Sequence, residues 1–187
     1  MTDPRGTSGG PPALTWRPAR RSDLPHLLAW TPDEAALATW AGPTLAWPLR
    51  LTALEAMLAE GEALGRTSWV ALTPGARGVV VGHAGLAVVD DGATVRVGRI
   101  LLDPARRGSG LGHALVDGIV GRASARPGVE RLTLGVVEGN AAARRHYDRL
   151  GFTPTGTVLT WPVGGVTWRS VEMARPALLD PPTASTR

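Results

Sequence analysis

Apolar-rich stretches at 68–72, 79–89 and 94–102 read as three consecutive strands, the last two joined by a tight Asp90-Asp91-Gly92 turn. Upstream, 14–19 reads as a first strand and 23–30 and 32–41 as helices, the second with Thr31 as cap, Pro32 at its first position and Gly42 as its stop. A longer helix is predicted over 52–64, where Thr52-x-x-Glu55 has the form of a capping box and Leu54, Met57, Leu58 and Leu64 supply an apolar side. Further on, Leu111, Ala114, Leu115, Ile119 and Val120 recur at helical spacing, with Gly118 allowing close approach on that side. A strand at 132–137 precedes another helix, on which Asn140, Ala143 and Tyr147 sit at i, i+3 and i+7 and share one face until Gly151 ends it. Strands at 155–161 and 167–173, turning at Gly164-Gly165, close the pattern. This order fits an α/β mixed sheet with helices on both faces.

Composition narrows the picture. The 187 residues suit one domain with a substantial core, expected at 13–175 between two disordered tails, 1–12 and 176–187, rich in Gly, Pro and small polar residues. The first tail lacks the apolar region of a signal peptide and no run approaches the length of a membrane span, so a cytoplasmic protein with no membrane partner is expected. Cysteine is absent, which excludes disulfides, Cys-ligated zinc and a covalent cysteine intermediate. The four histidines, His26, His83, His113 and His146, show no metal-ligand spacing, and no metal is expected. All twenty basic residues are arginines, yet the net charge is only +4, with no clustered basic surface interleaved with aromatics. Nucleic acid is therefore not an expected partner.

The first chemistry-bearing motif runs from Arg99 to His113. An apolar strand leads into a proline, the pair Arg106-Arg107, and glycines at 108, 110 and 112, after which a helix begins. The first turn of a helix has N–H groups without intrahelical acceptors, and glycines remove the side chains that would hold a ligand away. Such a nest at the positive end of a helix dipole suits a phosphate or pyrophosphate, and Arg106 and Arg107 can add charge-assisted hydrogen bonds. The dinucleotide fingerprint G-x-G-x-x-G fails in both registers, because His113 and Leu115 stand where its third glycine belongs. A Walker loop fails for want of any lysine.

The second motif is the thirteen-residue stretch Asn140 to Phe152, which contains the only tyrosine, Tyr147, and the only phenylalanine, Phe152, of the chain. Arg107-x-x-Gly110-x-Gly112 opening a helix, followed by Asn140-x-x-Ala143-x-x-x-Tyr147-x-x-x-Gly151-Phe152, resembles the GNAT superfamily of acetyl-CoA-dependent N-acetyltransferases. The resemblance is specific over about residues 95–155 and elsewhere matches only the order of elements. It implies a mostly antiparallel central sheet of about seven strands, splayed between the fourth and fifth, with the thioester of acetyl-CoA in that gap. It implies that backbone groups of Ile100, Leu101 and Leu102 pair with the pantetheine arm. The amides from Arg107 through Gly108, Ser109, Gly110 and Leu111 to Gly112 would hold the pyrophosphate. Asn140 would hydrogen-bond the pantetheine side, and Tyr147 would act as general acid toward the departing sulfur. A phenol with pKa near 10 stays protonated at neutral pH and can serve a thiolate whose conjugate acid lies near 8.5. Dimers are frequent in the family, which raises a homodimer.

An alkyl ammonium acceptor is neutral only about one time in 2,500 at pH 7, a penalty of roughly 4.6 kcal/mol, so a proton must be removed. Glu138 is the first candidate base, with Asp103, His83, or a water chain with backbone carbonyls as alternatives. The acceptor pocket is expected from residues 30–64 and the last hairpin, where Trp40 and Trp47 are candidates to hold an amine by cation–π contact. The acceptor, a primary amine of a small molecule or peptide, is not further specified by sequence. A non-catalytic CoA-binding module on the same fold is the alternative, and the presence of both Asn140 and Tyr147 argues against it.

Overall fold

The computed structural model describes residues 13–178. Seven strands, β1 (Thr15–Pro18), β2 (Arg66–Leu72), β3 (Val80–Val89), β4 (Thr94–Leu102), β5 (Arg131–Val137), β6 (Thr153–Val163) and β7 (Val166–Pro176), form one sheet in the order β1-β2-β3-β4-β5-β7-β6. Every neighbouring pair is antiparallel except β4 and β5, which run parallel. Parallel strands need a crossover. Helix α4 (Leu111–Ser124) supplies it.

Two cores lie on opposite faces of the sheet. On one, Val116, Ile119 and Val120 of α4 pack with Val95 and Val97 of β4, Leu132 and Leu134 of β5, and Tyr147 of α5 (Ala141–Arg149). On the other, α1 (Leu24–Trp30), α2 (Glu34–Ala41) and α3 (Leu51–Ala63) bring Leu24, Leu27, Leu37, Trp40 and Leu54 against Leu101 of β4. β4 thus contributes to both cores, as alternate residues of a strand can, and a bulge sets which residues face which side. Gly85 pairs with Gly98 but His83 with Leu101, so β4 carries one extra residue there, and Arg99 adopts the left-handed conformation, φ 50°. Because side chains alternate with period two, one added residue exchanges the faces of everything beyond it. Val95 and Val97 therefore face α4, whereas Leu101 faces the first three helices.

Gly118 allows the close approach its position suggests. A Cβ there would stand 2.7 Å from the indole nitrogen of Trp16, whose ring, with that of Trp69, also lies under the Arg122 guanidinium. Several ends differ from expectation. Thr31 does not cap α2: its hydroxyl donates to Leu27 O at 2.8 Å, and Asp33 caps instead, its carboxylate accepting from Ala36 N at 2.7 Å. The capping box at Thr52 is replaced by Arg50, whose carbonyl accepts from Ala53 and Leu54, while Glu55 accepts from Arg21. The final strands run longer than expected, and Ala177, placed by sequence in a tail, is buried in the core beyond β7. Residues 1–12 and 179–187, which make up most of the two expected tails, lie outside the described residues. Among the described residues no helix is long and apolar enough to cross a membrane.

Candidate active site

β4 and β5 pair only from Thr94–Arg131 to Val97–Leu134. Beyond this point Leu101 and Leu102 pair only with β3, and Gly135 to Val137 only with β7. The strands have parted, leaving two backbone edges that face a gap with donors and acceptors unspent by the sheet. Ile100, Leu101 and Leu102, expected to meet a pantetheine arm, form one lip of that gap.

At its mouth stands the glycine loop. Gly108 and Gly110 hold φ of 78° and 81°, open to glycine without strain, and Gly110 is the residue from which α4 starts. The hydroxyl of Ser109 donates to Arg106 O at 2.6 Å, closing the loop on itself. Its backbone amides from Gly108 to Gly112 find no backbone acceptor among the described residues, whereas His113 and Ala114 already bond to Gly110 O. Five donors and the positive end of a fourteen-residue helix converge in an exposed loop flanked by Arg106 and Arg107. The chemistry of this donor set fits a pyrophosphate.

Asn140 opens α5, its side-chain oxygen accepting from Ala143 N at 3.2 Å, so its amide NH₂ is left to donate elsewhere. At the far end of α5, Gly151 N bonds to Asp148 O and Phe152 N to Tyr147 O, both at 3.0 Å, with Gly151 at φ 82°. This is a Schellman cap, and the apolar contact such caps favour is the edge-to-face pair of Tyr147 and Phe152, ring centroids 6.1 Å apart. The only phenol of the chain is held by its only phenyl ring. Burial pushes the Tyr147 hydroxyl up to about 12, so it remains protonated across the range in which enzymes work.

The three side chains considered as bases are differently placed. Glu138 is exposed and accepts from Arg169 at 3.1 Å. Asp103 caps the short turn after β4, accepting from Ala105 N at 3.0 Å, with Arg106 at 3.9 Å. His83 is fully buried, with Nδ1 2.9 Å from Arg99 O and Nε2 without a partner. The same carbonyl accepts from Trp40 Nε1 at 2.8 Å, so an indole and an imidazole grip the bulge residue. Desolvation drops the His83 pKa to about 4. The unfolded chain takes up this proton near pH 6.5 and the folded protein only near 4, so stability falls as pH drops through that window. The expected loss is about 3 kcal/mol by pH 4. Urea unfolding across that range checks it, and His83→Asn, which keeps the donor but not the titration, should flatten the profile.

On the face of α1–α3, a cavity of about 210 Å³ opens against the parted strands, walled by Trp40, Trp161, Gly98, Arg99, Gly135 and Val137 among others. Trp40 is therefore in the cavity wall, though its N–H is committed to Arg99. Trp47 is 43% exposed and does not line the cavity. Trp161, from β6 of the last hairpin, one of the two segments expected to form the pocket, also stands in the wall. The bulge was missed, although an isolated glycine within a strand, here Gly98, is its signal.

The acetyltransferase (GNAT) family model matches residues 30–152. Mycothiol acetyltransferase of Beutenbergia cavernae is 44% identical over 66 residues, which are 35% of this chain and 22% of that protein, so the match spans about a fifth of the relative's length. Among solved structures, spermidine N-acetyltransferase from Vibrio cholerae, in complex with CoA and spermine, superposes with a TM-score of 0.74 at 17% identity, covering 88% of this chain and 95% of that one. Ribosomal-protein-alanine N-acetyltransferase from Brucella melitensis gives 0.68 at 23% identity, over 87% and 99%. At such identities these structures speak for the fold. Because the family match extends from the last residue of α1 to the cap that follows α5, the chain belongs to the GNAT acetyltransferase family.

Proposed function

We propose that the protein is an acetyl-CoA-dependent N-acetyltransferase that passes the acetyl group directly to a primary amine held in the same complex. The observation that carries this reading is the parting of β4 from β5, with a donor-lined loop at one end of the gap and a protonated phenol on the adjoining helix. The family match and the likeness to an enzyme solved with CoA support acetyl-CoA as co-substrate.

In this reading the amides of residues 108–112 hold the pyrophosphate, the Arg107 amide expected to join them being bonded to Pro104 O at 3.3 Å, while the backbone of Ile100 to Leu102 pairs with the pantetheine and the free NH₂ of Asn140 donates to the same arm. The amine nitrogen bonds to the acetyl carbon as the C–S bond breaks, and Tyr147 gives its proton to the sulfur. A phenol near 12 is a weak acid for a thiolate near 8.5 in water, but the leaving thiolate forms in the same dry surroundings, which raise its basicity as they raise that of the phenolate. With no cysteine to carry the acetyl group, direct attack is the simplest route. Glu138 is assigned the ammonium proton, since its carboxylate meets solvent while His83 is sealed and Asp103 is engaged in a turn.

The test is turnover of acetyl-CoA over a chemically diverse amine panel, reading released thiol against a protein that contributes none of its own. Amine-dependent release is expected. Calorimetric binding of acetyl-CoA without turnover of any amine would instead indicate the non-catalytic CoA-binding module.

A further inference from the structure

The cavity beside the parted strands holds a one-sided set of charges. Arg66, Arg96 and Arg99 line it, and among the described residues no aspartate or glutamate does. Arg96 is answered by Glu172, at 2.8 Å. Neither Arg66 nor Arg99 enters an ion pair among the described residues; Arg99 donates only to the Thr44 hydroxyl, at 3.3 Å. Burial, and after it the positive charge of Arg66, holds the Arg99 guanidinium below its ordinary value, so two like charges share this space. The remaining polar wall has groups that can donate, the hydroxyls of Thr67, Ser68 and Ser170, whereas that of Thr39 already donates to Ala35 O at 2.8 Å. The indole N–H of Trp161, another wall residue, is buried and has no acceptor.

Such a wall repels a polycation and complements an anion. Guanidinium groups match carboxylates in geometry as well as charge, and hydrogen bonds between charged partners are about twice as strong as neutral ones. With a volume of about 210 Å³, the cavity is smaller than a typical pocket for a drug-sized ligand, and so fits a small molecule or the end of a chain. Its wall includes Gly98 and Arg99 of β4 and Gly135 and Val137 of β5, so a ligand there lies against the gap between those strands. Resting on the acetyltransferase reading above, we propose that the acceptor is an amine that also bears a carboxylate, an amino acid or a short peptide, and that Arg66 and Arg99 hold that carboxylate while the amine meets the thioester.

The experiment compares free amino acids with their amides through pH-independent kcat/KM, since the amide lowers the α-amine pKa, with spermidine as the polycationic control. Wild-type kcat/KM should favour the carboxylate over the amide by about tenfold or more, the size of one charge-assisted hydrogen bond. Arg66→Gln and Arg99→Gln should each lower kcat/KM for the carboxylate by about tenfold, leave the amide within about twofold, and leave the KM for acetyl-CoA unchanged. Arg99→Lys, which keeps the charge at the bulge, separates loss of charge from loss of fold. Equal or better use of amides or spermidine by the wild type overturns the proposal.

If no amine is turned over, the acetyltransferase reading falls, and calorimetry decides the charge assignment by itself. N-acetyl amino acids should bind to the wild-type protein in the presence of CoA more tightly than N-acetyl amides do, and Arg66→Gln should remove the difference. Binding that does not distinguish acid from amide overturns the assignment.

Discussion

Replacing Tyr147 by phenylalanine is expected to lower kcat by about 10²-fold or more while acetyl-CoA binding stays near wild type. The substitution removes one oxygen and keeps the ring that packs on Phe152, so the helix cap and the apolar contact survive. What is lost is the proton delivered to sulfur. Because burial holds the hydroxyl near 12, the phenol of the wild-type enzyme should not limit the rate on the alkaline side until far above neutrality. Steady-state kinetics with a calorimetric titration of acetyl-CoA checks both halves. An undiminished kcat would move proton delivery to another group, and a collapse of cofactor affinity would make the residue a structural one.

Truncating its neighbour should act on stability instead. Phe152→Ala removes a side chain that is 1% exposed, and a loss of about 3–5 kcal/mol is expected from transfer and cavity terms together. The ring also lies 5.4 Å from the Arg175 guanidinium carbon, a cation–π contact that would go with it. Phe152→Leu, which retains most of the volume, should cost clearly less, since near-isosteric apolar exchanges are mild. Urea unfolding of the two variants measures the difference. A loss below about 1 kcal/mol for alanine would mean that the surrounding side chains collapse into the space.

These two residues were legible in the sequence because their signals are local. Helical spacing from Asn140 to Tyr147, a glycine at 151 and an aromatic after it suffice to describe a capped helix, and the glycines at 108, 110 and 112 announce their loop in the same way. The sheet was legible in outline for a similar reason. The bulge was harder: it exists only in the register of β4 against β3, which no single segment encodes. The grip on Arg99 O joins residues 59 positions apart in the case of Trp40, and 16 in the case of His83. The arginines of the cavity come from two separate strands, β2 and β4, and become one surface only after folding. Local competition explains the mistaken cap at Thr31. Two residues later stands Asp33, and an aspartate ranks above a threonine in accepting from the first turn.

The extra residue at Arg99 ties the length of β4 to two buried rings that share its carbonyl. Turns such as the one at 90–92 can gain or lose residues without disturbing what lies beyond them, since a loop does not commit side chains to a face. A single deletion between Gly98 and Leu101 would leave a regular strand, in which Leu101 keeps its place opposite His83 and its face toward the three amino-terminal helices, but the bulge whose carbonyl Trp40 and His83 share would be gone. The indole of Trp40 and the buried imidazole of His83 would then lose the one acceptor they share. Insertions and deletions in relatives should therefore spare these four positions, however freely their surroundings vary.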